Sequence, residues 1–147
     1  PEWVDLALTV FWMIGLINAF NLLDIMDGLS AGVGLVSAVF LLAVALMNGD
    51  TTIAFMLTAL VGSLLGFLRH NFHPAKIYLG DAGSLFLGLM LGALAMIGQY
   101  RGSHQVALIT PVLILGVPIF DTLFASFGGR MPGASQAPWI SMMVLVI

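Results

Sequence analysis

The sequence predicts an all-α protein, a polytopic bundle of transmembrane helices with about five spans in this chain. Two observations carry that prediction. Hydrophobic residues make up 61% of the chain and charged residues 7%, with a mean hydropathy of +1.12, a balance that excludes an ordinary soluble domain. The apolar residues also fall into runs of roughly 20, the length a helix needs to cross a bilayer core, and each run closes on polar punctuation. The formal net charge of −3 carries little weight because so few charges exist. No nucleic-acid partner is expected. Cysteine is absent, which rules out disulfides and thiolate metal sites and leaves the redox compartment unreadable.

The first predicted span covers residues 3–23. Where it ends, two amides and two carboxylates follow one another at steps of three: Asn18, Asn21, Asp24 and Asp27. On a continuous α-helix that step drifts around about half the circumference, whereas a loosened last turn lines the four up. We therefore expect the helix to loosen here, assisted by Gly28. A second span, 29–47, ends at Asn48-Gly49-Asp50, and a third, 51–68, ends at Arg69-His70-Asn71. The stretch 71–84 is the longest polar interruption, and Pro74 with the glycines near it predicts ordered turns. A fourth span, 85–100, turns at Arg101-Gly102-Ser103-His104 into a fifth, 106–124, kinked at Pro111 and Pro118.

Alternating these spans across a membrane puts the Asp24/Asp27 corner, the 71–84 loop and Asp121 on one face, with Asp50 and Arg101 on the other. Arg69, Lys76 and Arg130 share the acid-bearing face, so the positive-inside bias makes that face cytoplasmic. Asp24, Asp27, Asp81 and Asp121 can then meet on one surface. Such a cluster suits Mg²⁺, which binds one or two carboxylates together with substrate phosphates, and so a diphosphate substrate meeting a lipid. Ion or proton transport also uses membrane acids and stays open at this point.

Three segments carry a resemblance. Asn18-Ala19-Phe20-Asn21-Leu22-Leu23-Asp24-Ile25-Met26-Asp27-Gly28-Leu29, the run Asn71 to Leu85 with its Asn-Phe-x-Pro-Ala and Gly-Asp-x-Gly-Ser pieces, and Val117-Pro118-Ile119-Phe120-Asp121-Thr122-Leu123 resemble the motifs of the polyprenyl-phosphate N-acetylhexosamine-1-phosphate transferases. The third segment resembles the UDP-GlcNAc-using branch that starts teichoic-acid, O-antigen and related glycans. The resemblance implies a multi-pass protein of the bacterial inner membrane with its active site facing the cytoplasm. Its reaction would move a sugar-1-phosphate from a UDP-sugar to undecaprenyl phosphate and release UMP. Mg²⁺, replaceable by Mn²⁺, would be the cofactor. Asp81 matches the metal-ligand position, Asp24 an acid of the catalytic centre that also faces the metal, and Asp27 an acid near the nucleoside or metal. Asn18 and Asn21 would hold these acids and the substrate. Asn71 and Tyr78 fall where the family contacts uracil, and Asp121 is assigned to substrate binding. The peptidoglycan-precursor phospho-MurNAc-pentapeptide transferases are the alternative branch; a transporter or non-catalytic scaffold are alternatives of another class.

Each residue also has a structural alternative. Asn18 and Asn21 could tie helices together, Asp24 or Asp27 could cap the second helix, Asp81 could serve a turn, Asp121 could end a helix in water, and Tyr78 could anchor at the interface. His70 and His73 have a spacing that suits zinc but lack further ligands nearby. The pairs Gly28/Gly32, Gly62/Gly66 and Gly88/Gly92 predict close helix packing. Ile25 stands where the resembled family has Gly, which predicts a stiffer or shifted turn and a mis-aimed Asp24. Pro1-Glu2-Trp3 shows neither an initiating Met nor a basic leader, so a fragment is expected, inactive by itself for want of the family's upstream acids and downstream histidines. Residues 1–127 would form the transmembrane part. From Gly128 to the end the pattern departs from the expected basic loop, through either a reading frame shifted after about Ser126 or a truncated or divergent tail.

Overall fold

The computed structural model describes residues 2–98 and Gly116. Four helices follow one another: α1 (Glu2–Leu23), α2 (Leu29–Met47), α3 (Thr51–Asn71) and α4 (Gly80–Ile97). All four are long and apolar enough to cross a membrane, by length and composition. The fifth expected span, Asp121, the basic residues Arg101 and Arg130, and the tail from Gly128 lie outside the described residues.

Local chemistry sets the breaks. The α2–α3 turn needs Gly49, at φ 71°, and Asp50 then caps α3 by accepting the Ile53 N–H at 3.3 Å. Two boundaries differ from the sequence-based expectation. Helix α3 runs on to Asn71, with Arg69 and His70 in its last turn, where positive charge suits the dipole. Helix α4 starts at Gly80 rather than near 85, so the small residues that read as loop form its first turn and place Asp81 at the positive end of its dipole.

Helix α1 packs chiefly on α4 and α2 chiefly on α3, with α2 against α4 joining the two pairs. Leu16, Phe20 and Leu23 of α1, Leu57 of α3 and Leu91 of α4 are fully buried at the centre. Large apolar side chains such as Trp3, Phe11, Phe40 and Phe55 stand exposed on the outside, as lipid-facing residues do. The α1–α4 contact depends on glycine. A Cβ on Gly88 would lie 2.8 Å from the Leu16 carbonyl oxygen and 2.9 Å from Ile17 Cα, and one on Gly92 would lie 3.1 Å from the Leu16 and Met13 side chains. The Gly88/Gly92 pair therefore packs as expected. Gly62 and Gly66 meet no described atom within 4 Å, and Gly28 serves a turn instead, so spacing alone did not separate packing glycines from others.

Candidate active site

The antiparallel path brings the end of α1, the start of α2, the end of α3 and the start of α4 to one end of the bundle, with Asp50 at the other. Helix α1 stops at Leu23, and residues 24–28 form a turn that Gly28 closes at φ 75°. Gly28, not Asp24 or Asp27, occupies the N-cap of α2, so neither acid is a capping residue there. Ile25 is exposed, and among the described residues no non-glycine takes a positive φ. The turn thus needs no glycine at position 25.

Asp24 and Asp81 come together across this end. Burial, then the neighbouring Asp81 charge, raises the Asp24 carboxyl above the usual aspartate range, and the Gly80 backbone N–H partly opposes both. Asn21 orients the second acid: its Nδ2 donates to Asp81 Oδ1 and to Ser84 Oγ, each at 3.2 Å. The fully buried Ser84 hydroxyl donates in turn to the Asp81 carbonyl at 3.2 Å. Sequence reading missed Ser84, because the sequence placed it in the loop before the fourth span rather than in the first turns of α4. Asn18 behaves differently from Asn21. Because α1 stays regular to Leu23, Asn18 is exposed on another strip and donates to the Ile14 carbonyl of its own helix at 2.8 Å.

A second set of contacts ties the 72–79 loop to the corner. Asp27 Oδ2 accepts the Ala75 N–H and meets His73 Nδ1, both at 3.1 Å. Asn71, itself buried, accepts the Gly28 N–H at 3.0 Å and donates to the Ile77 carbonyl at 2.9 Å. Its amide is thereby engaged on both sides by backbone, while Tyr78 on the same loop is 74% exposed with its ring open. Asn71→Ala would strand two backbone groups. At about 0.5–1.5 kcal/mol for each lost hydrogen bond, both part-buried, the variant should unfold at lower temperature in detergent, as read by circular dichroism.

The donor set fits a hard divalent cation shared with a substrate. Among the described residues no three His, Cys, Asp or Glu side chains form a closed metal cage, so His70 and His73 make no zinc site there; His70 Nδ1 lies 3.4 Å from the Gly66 carbonyl of its own helix. Asp24, raised by burial and then by the nearby Asp81 charge, and Asp81 supply two carboxylates, a number that Mg²⁺ often takes together with substrate phosphate oxygens.

The chain is similar in sequence to known membrane-lipid sugar-phosphate transferases. The chain is 45% identical over 123 residues, 84% of its own length and 34% of the relative's, to a probable undecaprenyl-phosphate N-acetylglucosaminyl 1-phosphate transferase of Bacillus subtilis (strain 168). It is 41% identical over 130 residues, 88% of its length and 41% of the relative's, to a phospho-N-acetylmuramoyl-pentapeptide-transferase of Limosilactobacillus fermentum. A decaprenyl-phosphate N-acetylglucosaminephosphotransferase of Mycolicibacterium smegmatis is 40% identical over 87% of this chain and 37% of its own. The chain thus spans 34% to 41% of the length of these three relatives. The helices and these relatives make it a multi-pass membrane protein. With the family model matching residues 1–99, the chain belongs to glycosyl transferase family 4.

Proposed function

We propose that this chain is part of a membrane transferase that moves GlcNAc-1-phosphate from UDP-GlcNAc to undecaprenyl phosphate, releasing UMP, at the cytoplasmic face of the bacterial inner membrane. The observation that carries the reading is the meeting of Asp24 and Asp81 beside Asn21, which bonds Asp81 across 60 residues of sequence. Asp24 and Asp81 would hold Mg²⁺. When bound, Mg²⁺ offsets the charge of the diphosphate and polarises its phosphoryl oxygens. The chain's own part is positioning, which is most of what phosphoryl transfer asks of a protein. Asn21 aims Asp81 by engaging Oδ1, and Ser84 fixes Asn21. Asn71 holds the loop that carries Tyr78, and Tyr78 offers its ring to uracil. An oxygen of the lipid phosphate attacks the sugar-side phosphorus; the bond to the UMP oxygen breaks as the new phosphoanhydride forms.

The names of the Bacillus subtilis and Mycolicibacterium smegmatis relatives support N-acetylglucosamine as the sugar. The Limosilactobacillus fermentum relative supports a second reading, phospho-MurNAc-pentapeptide transfer. Membranes carrying the full-length protein that contains this chain, given radiolabelled UDP-GlcNAc, undecaprenyl phosphate and Mg²⁺, should form a labelled lipid diphosphate that EDTA abolishes. Label transfer from UDP-MurNAc-pentapeptide alone would favour the second reading, and no transfer from either donor would end both.

A further inference from the structure

His73 belongs to none of the roles above. Its side chain is 85% exposed, yet its Nδ1 lies 3.1 Å from Asp27 Oδ2, across 46 residues of sequence. A carboxylate oxygen can only accept, so Nδ1 carries the hydrogen. The same oxygen accepts the Ala75 N–H, so one atom of the α1–α2 corner grips the loop at two points, two residues apart. Asn71 fixes the loop on either side, through Gly28 and Ile77, and the Lys76 N–H adds a 2.8 Å bond to the His70 carbonyl. What these tethers hold is the short path from Phe72 to Leu79, and Tyr78 with its open ring is on it.

A side-chain contact this exposed contributes little to stability. Its effect lies in where it sets the loop. Resting on the reading of Tyr78 as the uracil platform, we infer that His73 is a positioning residue for the donor nucleotide: its Nδ1–H, given to Asp27, sets the 72–79 loop and so the Tyr78 ring against the α1–α2 corner. The inference concerns Nδ1 alone. The rest of the imidazole is replaceable.

Side-chain geometry supplies the test. Asn reproduces the Nδ1 donor of histidine and Gln reproduces the Nε2 donor, whereas Ala has neither. In the full-length protein, His73→Ala and His73→Gln should raise KM for the UDP-sugar about tenfold with kcat kept, the size of effect that supporting-shell losses produce, and His73→Asn should restore it. Hydrogen exchange of the peptide covering residues 73–79 should speed up in His73→Ala and His73→Gln but not in His73→Asn, while thermal unfolding stays unchanged in all three. Rescue by Gln instead of Asn would mean that the ring touches substrate through Nε2 and would overturn the inference. Equal KM values and equal exchange in all variants would overturn it as well. An inactive wild-type protein would count against the proposed reaction instead, and the exchange pattern would then decide the loop-setting role by itself.

Discussion

Asp81→Asn should abolish lipid diphosphate formation, with transfer falling about a thousandfold and added Mg²⁺ unable to restore it, because losing a metal-polarised contact removes several kcal/mol of transition-state stabilisation. The substitution keeps the shape and still lets Asn21 donate to an oxygen at the same place, so the fold should survive. Loss of charge is thereby separated from loss of structure. Asp24 should respond in a second, measurable way. Its carboxyl is raised by burial and by Asp81, so in Asp81→Asn it should titrate closer to an ordinary aspartate. The sign of the pH effect follows. With the folded value above the unfolded one, the metal-free protein gains stability from protonated Asp24 at low pH and loses it as pH rises through the raised value. Protons should compete with Mg²⁺ over the same range, starting above the usual carboxylate region, so half-saturating Mg²⁺ should increase as pH falls through it. A flat Mg²⁺ requirement across that range would show that Asp24 does not hold the ion.

Gly88→Val should be the most damaging apolar substitution. The new Cβ would meet backbone, the Leu16 carbonyl oxygen and Ile17 Cα, neither of which can rotate aside. Overpacking costs about 1–3 kcal/mol where side chains can adjust, and here α1 must move away from α4 as a whole. That movement also pulls Asn21 from Asp81 and Ser84, so stability and transfer should fall together. Gly92→Ala should be milder, since the Leu16 and Met13 side chains it meets can yield. Gly62→Ala, with no described atom within 4 Å, should be neutral or slightly stabilising, because a helix interior prefers Ala to Gly. Thermal unfolding in detergent ranks the three, and a Gly88→Val protein as stable as Gly62→Ala would refute the α1–α4 contact.

The helices were legible because run length and hydropathy are direct consequences of the bilayer, and the corner at Asp24 was legible because two carboxylates close the apolar run, although the amides Asn18 and Asn21 stay inside the regular helix. The face shared by Asp24, Asp27 and Asp81 followed from alternation alone. The start of α4 was not legible: Gly80, Gly83 and Ser84 read as turn residues beside Asp81, and the contact of the buried Ser84 with Asn21 of α1 leaves no local mark in the sequence. Glycine spacing was ambiguous for the same reason, since Gly62/Gly66 and Gly88/Gly92 look alike until a neighbouring backbone is placed. The pairing of Asp27 with His73 had no local trace. His70 and His73 have a spacing that suits zinc but lack further ligands nearby, and their actual contacts, one back to its own helix and the other to the distant corner, left no mark in that spacing.

The partnership of α1 with α4, rather than with its neighbour in sequence, also sets an order of events at the ribosome. Of the four described helices α1 enters the bilayer before the rest, and it must wait while the α2–α3 hairpin, joined by its three-residue turn, emerges and pairs beside it. Until α4 arrives, Asn21 has neither of its hydrogen-bond acceptors and the glycine-matched face of α1 is wetted only by lipid. Nascent chains halted before Gly80 should therefore hold the hairpin but no acid pair, so that the chemistry of this end is withheld until α4 is threaded.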